Sequence, residues 1–483
     1  MTGGAAGANG VFDGRVVIVG ASLAGLRAAE ALRLAGFTGS LTLIGDEPYP
    51  PYDRPPLSKT VLTGWLPVEH TTLPQFVDID AEWRLGVSAV ALDLAGRRVQ
   101  LGDGKEVEFD RVLIATGTRA RQWPNADEAA LDGVFTVRTR DDAARLRERL
   151  AAGPDRVLII GGGFIGSEVA SVCRELGLPV TLVERSGTPL DNALGATAGG
   201  AAARLQRHHG VDLRTDVTVM ALEGEGRLRR AHLSDGDVLD VDVAVVALGA
   251  VRNTEWLRRA GLAADARGVV CDASCRVFSD EGVVLDDIFV AGDIARWPHP
   301  LFDGQLIAVE HWDNAVRQAA VAAHNMVRPP AERSAHKALP AFWSNQFGLN
   351  IKSVGLPSVA DELVVTQGSV AELRFVAVYG GGGRTVAAVS VNAPLWVDYY
   401  QALIAARAPF PPPFDAADAP AEPIIRPAGF PPQGHATHSP TAAATGPGPS
   451  SPAPSLETSP PRPAMPTTAE LQDPRVPMRP HPL

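Results

Sequence analysis

The chain has 483 residues, too many for one core and enough for two to four domains. With 45% apolar and 20% charged residues it can pack cores, while a net charge of −11 argues against nucleic acid, whose phosphates need clustered Lys and Arg. The three cysteines, Cys173, Cys271 and Cys275, exclude a disulfide framework and suit a reducing compartment.

Residues 1–10 lack the basic start and apolar run of a secretory signal, and no apolar run reaches the length of a membrane span. A cytoplasmic protein without membrane contact is expected. A strand predicted at 15–19 runs into the turn Gly20-Ala21-Ser22-Leu23-Ala24-Gly25 and a helix at 24–35, with Gly36 as its C-terminal stop. Small residues at such a turn let backbone N–H groups and the helix dipole meet a pyrophosphate. Ser22 stands where the second glycine of this fingerprint allows the closest approach. The next strand, 41–45, ends in Asp46-Glu47, which places a carboxylate about 20 residues on, where a ribose hydroxyl binds. The loop Arg54-Pro55-Pro56-Leu57-Ser58-Lys59 follows. Its lysine is a solvated charge in the plain reading, and a stabiliser of developing negative charge if a flavin lies beside it. An antiparallel insertion is expected around 87–109, then a strand at 111–115 leading to Ala115-Thr116-Gly117.

The second fingerprint has all its glycines. A strand at 156–160 leads to Gly161-Gly162-Gly163-Phe164-Ile165-Gly166-Ser167-Glu168, a helix at 166–176 and the stop Gly177. The following strand, 180–184, ends in Glu184, a carboxylate that accepts from a ribose diol and repels a 2′-phosphate, favouring NADH. Arg185 beside it is placed to meet a phosphate instead. Antiparallel structure is expected around 211–240, and strands at 243–248 and 288–291, the latter ending in Gly292-Asp293. After about 331 the alternation stops. Strands at 362–366, 369–378 and 385–391 and a helix at 395–406 then make a smaller third domain. From Pro411 to Leu483, 21 of 73 residues are proline, a composition that buries too little to offset its ordering entropy.

Two nucleotide turns in one chain imply two bound nucleotides and electron transfer between them. Cys173 reads as core, and Cys271 and Cys275 lack the further ligands of a metal site, so no metal is expected. No cysteine lies between Gly20 and Ala120, so electrons leave without a thiol relay. His208 and His209 read as surface, and His311, beside Trp312, is the one histidine near the expected pocket.

These segments resemble the flavoprotein pyridine nucleotide oxidoreductases, and most closely the NADH-dependent ferredoxin reductases of bacterial oxygenase systems. The likeness runs from Arg15 to about Ala406. It includes Tyr52-Asp53-Arg54-Pro55-Pro56-Leu57-Ser58-Lys59, Ala115-Thr116-Gly117-Thr118-Arg119, Gly292-Asp293-Ile294-Ala295, Val309-Glu310-His311-Trp312-Asp313-Asn314-Ala315 and Phe342-Trp343-Ser344-Asn345-Gln346. The resemblance implies an α/β architecture. An FAD-binding Rossmann-like domain is built from 11–122 and 250–331, and an NAD-binding one from 123–249. An α+β reductase domain at 332–410 covers the flavin, and a disordered Pro-rich tail occupies 411–483.

By the same resemblance Ala24, Asp46, Lys59, Val90, Arg138, Asp293 and Trp312 match FAD-contacting positions, and Glu168 and Glu184 match positions on the nicotinamide side. The cofactor-binding set also takes in Gly20, Ser22, Gly25, Glu47, Arg54, Ala115, Thr116, Gly117, Gly249, Gly292, Glu310, His311 and Trp343, with Gly161, Gly163, Phe164, Ile165 and Gly166 in the second turn. Lys59 and Glu168 form the pair beside the flavin and are the expected catalytic residues. Ser22 and Asn345 depart from the family's pattern, the latter replacing an aspartate. The function implied is FAD-dependent NADH:ferredoxin oxidoreduction, with single electrons passed to a [2Fe–2S] or similar ferredoxin that serves an oxygenase, by a monomer or homodimer. Basic residues in 138–149 and 296–317 are candidates for the docking face. A rubredoxin reductase or diaphorase differs only in acceptor. An NADH-responsive signalling flavoprotein resembling apoptosis-inducing factor shares the pair but turns over poorly.

Overall fold

The computed structural model describes residues 11–412. The architecture starts from two parallel sheets whose central strands are buried on both faces, which is why their sequences are mainly apolar. In the first sheet the order is Arg276–Phe278, Val284–Val290, Arg111–Ile114, Val16–Val19, Leu41–Gly45, Glu82–Leu85. All neighbours are parallel except the first pair, and Val19 lies opposite both Ile44 and Ile114. Helix Leu23–Leu34 packs on this sheet through Leu26, Ala28, Ala29 and Leu32, beside helix Trp312–Val327. It stops where Gly36 takes φ +87°, a backbone state that favours glycine.

In the second sheet the order is Asp212–Thr215, Val180–Glu184, Val157–Ile160, Val243–Val246, Val134–Phe135, all parallel. Three-stranded antiparallel sheets follow each nucleotide turn: Ala89–Asp93, Arg98–Leu101 and Glu106–Glu108 after the first, Val219–Glu225, Arg227–Leu233 and Val238–Asp240 after the second. The second insertion is narrower than expected. Asp212–Thr215 instead pairs in parallel with Val180–Glu184, because the helical segment Asp191–His208 between them, kinked at Gly195, is a crossover connection.

The last described part is a five-stranded antiparallel sheet, ordered Ala341–Gln346, Leu349–Gly355, Arg384–Val391, Arg374–Gly381, Glu362–Ser369, with helix Val397–Ala405 on one face. The strand expected at 369–378 begins at Arg374, because residues 370–373 form a turn in which Leu373 has φ +57°. The hairpin 341–355 adds two strands that hydropathy did not single out. Phe375, Ala377, Tyr379 and Val389 join the same apolar cluster as Val17, Val19 and Ile44 of the first sheet. Cys173, Cys271 and Cys275 are buried free thiols, and burial pushes the Cys173 thiol up to about 12. No helix among the described residues is long and apolar enough to cross a membrane. The proline-rich tail, apart from its first two residues, lies outside the described residues.

Candidate functional site

Both glycine turns are built by close backbone approach. Gly20 has φ +121°, and a Cβ there would sit 2.1 Å from the Ala115 carbonyl oxygen; one on Gly25 would sit 1.9 Å from that of Gly20. The second turn repeats this: Gly161 has φ +105° with the Ala247 oxygen at 2.5 Å, and Gly166 faces the Gly161 oxygen at 2.0 Å. These glycines press each helix N-terminus against its strand, so that free N–H groups project at the sheet's C-terminal edge. Ser22 is the N-cap of its helix and makes no capping bond with its hydroxyl. At Gly163, the N-cap of helix Phe164–Glu175, a Cβ would project into open space.

A cleft of about 1110 Å³ opens from the first turn, slightly above the usual ~300–1,000 Å³ of small-ligand pockets. Gly20, Ser22, Ala24, Asp46 and Glu47 line one part, and Ala115, Thr116, Gly117, Arg138 and Gly249 another. Arg54, Lys59, Phe164, Ile165 and Glu168 meet Gly292, Asp293, Glu310, His311, Trp312 and Trp343 in the remainder. Gly25, Gly161, Gly163, Gly166 and Glu184 are not on this wall. Gly25 supports the first turn from behind, and the other four belong to the second. Val90 is placed elsewhere: it is half exposed and lines a separate hollow with Trp83, Arg84 and Lys105, while Ala89 lines the cleft. Val90 is the extra residue between Ala89, paired with Leu101, and Ala91, paired with Gln100, and this bulge aims its side chain away from the site.

Lys59 and Glu168 come together across the cleft. Lys59 Nζ lies 2.7 Å from Glu168 Oε2, with the glutamate 4% and the lysine 22% exposed. The lysine stands in the loop after the 3-10 turn Pro55–Ser58, and the glutamate in the second turn of helix Phe164–Glu175. Two hydroxyls complete the group: Ser58 Oγ donates to Glu168 Oε2 at 2.5 Å, and Ser344 Oγ donates to Oε1 at 2.6 Å. Neither serine was singled out from sequence, although both lie inside the quoted motifs. Asn345, where the sequence departs from the family, is exposed on the other side of its strand from Ser344 and takes no part.

Charge around the rest of the cleft is largely balanced. Arg54 Nη2 pairs with Glu47 Oε1 at 2.7 Å and donates through Nη1 to the Arg138 carbonyl at 2.7 Å. Tyr52 donates to the other oxygen of Glu47, so Glu47 anchors the proline loop. Arg138 Nη2 meets Asp293 Oδ2 at 3.2 Å, and Arg252 faces Glu310 at 3.5 Å. Burial, together with the nearby Asp293 charge, holds the Glu310 carboxyl above its usual range. Trp312 Nε1 donates to Asp53 Oδ1 at 2.9 Å; burial raises Asp53, and this bond and Lys59 oppose the rise. His311 is pushed down to about 4 by burial, and its Nδ1 has no partner among the described residues. In the second turn Glu184 accepts from the N–H of Gly162 and of Ser186, both at 2.7 Å.

A cleft reached by one nucleotide turn, a second turn on an adjoining parallel sheet and a buried lysine–glutamate pair define an oxidoreductase that handles two dinucleotides. The chain belongs to the family described as pyridine nucleotide-disulphide oxidoreductase, whose model matches residues 14–319; a reductase C-terminal model matches 341–422. It is 36% identical over 383 residues to rhodocoxin reductase of Rhodococcus erythropolis, covering 78% of this chain and 86% of that one. Against the ferredoxin–NAD(+) reductase component of the biphenyl dioxygenase system of Paraburkholderia xenovorans it is 35% identical over 381 residues, covering 78% and 90%. Among solved structures, putidaredoxin reductase in covalent complex with putidaredoxin matches with a TM-score of 0.76 and 30% identity, covering 82% of this chain and 94% of that one.

The cofactors are accordingly FAD and NADH. The residues fit them. Gly117 and Gly249, both at positive φ, have open space where a side chain would project into the cleft. None of the three cysteines lines the cleft, so this site offers no thiol pair despite the family's description.

Proposed function

We propose that the protein is an FAD-dependent NADH:ferredoxin oxidoreductase that passes single electrons to a small iron–sulfur protein of the [2Fe–2S] type, itself serving an oxygenase. The reading places it in the cytoplasm as a monomer or homodimer. What supports it is the Lys59–Glu168 pair, buried in a cleft that starts at the first nucleotide turn and ends beside the second, taken with the likeness over 78% of the chain to rhodocoxin reductase and to the biphenyl dioxygenase reductase component. Residues 11–122 and 250–331 hold FAD in this reading, 123–249 hold NADH, and 332–410 close the flavin side.

Bound FAD supplies the exchange between two-electron and one-electron chemistry that side chains cannot perform. The protein's own groups position and polarise. The N–H groups of Ser22, Ala24 and Gly25 would face the pyrophosphate, while that of Gly20 is spent on the Ile44 carbonyl at 2.8 Å, and Asp46 would meet the ribose. Arg138, paired with Asp293, gives the far end of the cleft a cation and an acceptor. Trp312, held by Asp53, and Trp343, with ring centroids 6.2 Å apart, wall the ring end. Lys59 places a positive charge where negative charge develops, and Glu168 fixes that lysine. Glu184, oriented by two backbone N–H groups, accepts from the NADH ribose diol and repels a 2′-phosphate.

The test is anaerobic mixing with NADH, then with a panel of ferredoxins and cytochrome c, followed by flavin absorbance. Bleaching by NADH and reoxidation only when a ferredoxin is present is the expected result. A stable long-wavelength band, NADH-induced dimerisation and no ferredoxin-dependent turnover would instead establish a signalling flavoprotein.

A further inference from the structure

The buried Lys59–Glu168 pair is assembled by three separated parts of the chain, and two of its four members are hydroxyls with no role assigned above. Glu168 Oε2 receives Lys59 Nζ at 2.7 Å and Ser58 Oγ at 2.5 Å, while Oε1 receives Ser344 Oγ at 2.6 Å. Ser58 and Ser344 are each 1% exposed, so water does not replace either one readily. A hydroxyl carries one proton and accepts as well, and the structure decides which way Ser344 points. Gln346, two residues along the same buried face of the strand, donates Nε2 to Ser344 Oγ at 3.3 Å. That leaves the Ser344 proton for Glu168. The hairpin is tied to the same helix a second time, since the Phe347 N–H donates to Ser171 Oγ at 2.7 Å. Ser171 stands three residues from Glu168, on the same helix face.

We propose that Ser344 and Ser58 are positioning residues for the reaction assigned above, clamping the two oxygens of Glu168 so that Lys59 is held at the flavin end of the cleft. The inference rests on that functional reading. Ser58 sets Oε2 toward the lysine. Ser344, delivered by the 341–355 hairpin, fixes the rotation of the carboxylate, which would otherwise turn about its terminal bond and carry the lysine with it. Glu168 alone cannot do this, because its Oε1 has no other donor among the described residues.

The test uses the FAD-loaded full chain without ferredoxin. Stopped-flow bleaching by NADH is measured for wild type, Ser344→Ala, Ser344→Thr, Ser58→Ala, Glu168→Gln and Ser344→Ala/Glu168→Gln. The limiting rate of Ser344→Ala falls about tenfold, the scale of one hydrogen bond to a buried charge, with less than a twofold change in the NADH concentration at half-saturation. Ser58→Ala behaves alike, and Ser344→Thr, which keeps the hydroxyl, stays within about threefold of wild type. In the Glu168→Gln background Ser344→Ala adds no further slowing, because the serine acts only through that carboxylate. A readout without turnover is the midpoint potential of the bound FAD by spectroelectrochemical titration, which falls in Ser344→Ala and is restored in Ser344→Thr. A wild-type rate and potential in Ser344→Ala, or equal slowing with and without Glu168, overturns the proposal. If NADH does not bleach the wild type, the functional reading fails and this inference with it; if it does, the variants judge the inference alone.

Discussion

Replacing Lys59 by methionine separates what the lysine does for stability from what it does for chemistry. The substitution keeps a flexible stem of similar length and removes the charge. Breaking a buried ion pair by deleting one partner typically costs about 3–5 kcal/mol, because the remaining charge stays buried. Here the remaining charge is Glu168, 4% exposed, but it keeps two hydroxyl donors, and the lost lysine was 22% exposed. The expected destabilisation is therefore smaller, about 2 kcal/mol. In Lys59→Met/Glu168→Gln no net charge remains, and most of that loss is recovered. Reduction by NADH does not recover. Removing one preorganised donor aimed at developing charge costs about 100- to 1,000-fold, and the double variant still lacks it. The assays are urea unfolding of the FAD-saturated protein, followed by flavin fluorescence and circular dichroism, and stopped-flow bleaching. Wild-type stability and rate in Lys59→Met would make the lysine an ordinary solvated charge. Recovery of rate along with stability in the double variant would show that its charge does not act on the reaction.

Glu184→Ala removes both the ribose acceptor and the anchor of the Gly162 and Ser186 N–H groups, so the ratio of kcat/KM for NADH over NADPH narrows by about tenfold; an unchanged ratio places the discrimination in other residues. Gly166→Ala puts a Cβ into the space 2.0 Å from the Gly161 oxygen, and is expected to raise KM for NADH more than about tenfold while FAD content stays near one per chain. Loss of flavin with NADH affinity intact would reverse the assignment of the two turns. Val90→Ser leaves flavin content and reduction rate at wild-type values because Val90 faces another hollow, and a flavin-depleted variant would return it to the cleft. His336 is 1% exposed, and burial pushes it down to about 4, below the unfolded value of about 6.5. Between those values the unfolded chain takes a proton that the folded chain refuses, so stability falls as pH drops through this window, by at most about 3 kcal/mol. His336→Gln keeps a side-chain donor near Asn314 and flattens that part of the stability–pH curve. An unchanged slope would assign the acid sensitivity to other groups.

Strands 41–45 and 180–184 were legible to the residue, because a strand buried on both faces is mainly apolar and β-branched, broken here only by Thr42 and Thr181, and is bounded by turn residues. Helix 164–175 starts two residues before the expected 166, since Gly163 and not the last glycine of the fingerprint is its cap. The misread strand at 369–378 shows the converse. Val370 and Leu373 are apolar, yet they form the turn that joins two antiparallel strands, and hydropathy alone does not see a tight turn made of apolar residues. Lys59 and Glu168 were paired by family likeness, not by spacing, and the same likeness carried Val90 into the site although its side chain, at a bulge, lines another hollow. Ser58 and Ser344 left no periodic or compositional signal: each is an ordinary serine until the fold brings its hydroxyl to one carboxylate.

The distances along the chain explain why that last step is invisible in sequence, and they constrain how the site forms. Ser58 and Glu168 are 110 residues apart, and Glu168 and Ser344 are 176 apart. No local structure can preassemble such a group, so the pair becomes fully clamped only when the second nucleotide sheet and the C-terminal hairpin have both docked on the first. The apolar contact of Phe164 with Phe342, ring centroids 4.8 Å apart, and the Phe347–Ser171 bond sit on either side of Ser344, so docking energy is spent next to the hydroxyl that needs placing. Glu168 lacks its Oε1 donor until the hairpin is in place. The hairpin is therefore more than a cover over one side of the cleft: it supplies the final hydrogen bond to the charge that orients Lys59, and weakening its packing should loosen the pair even when every residue of the two nucleotide turns is intact.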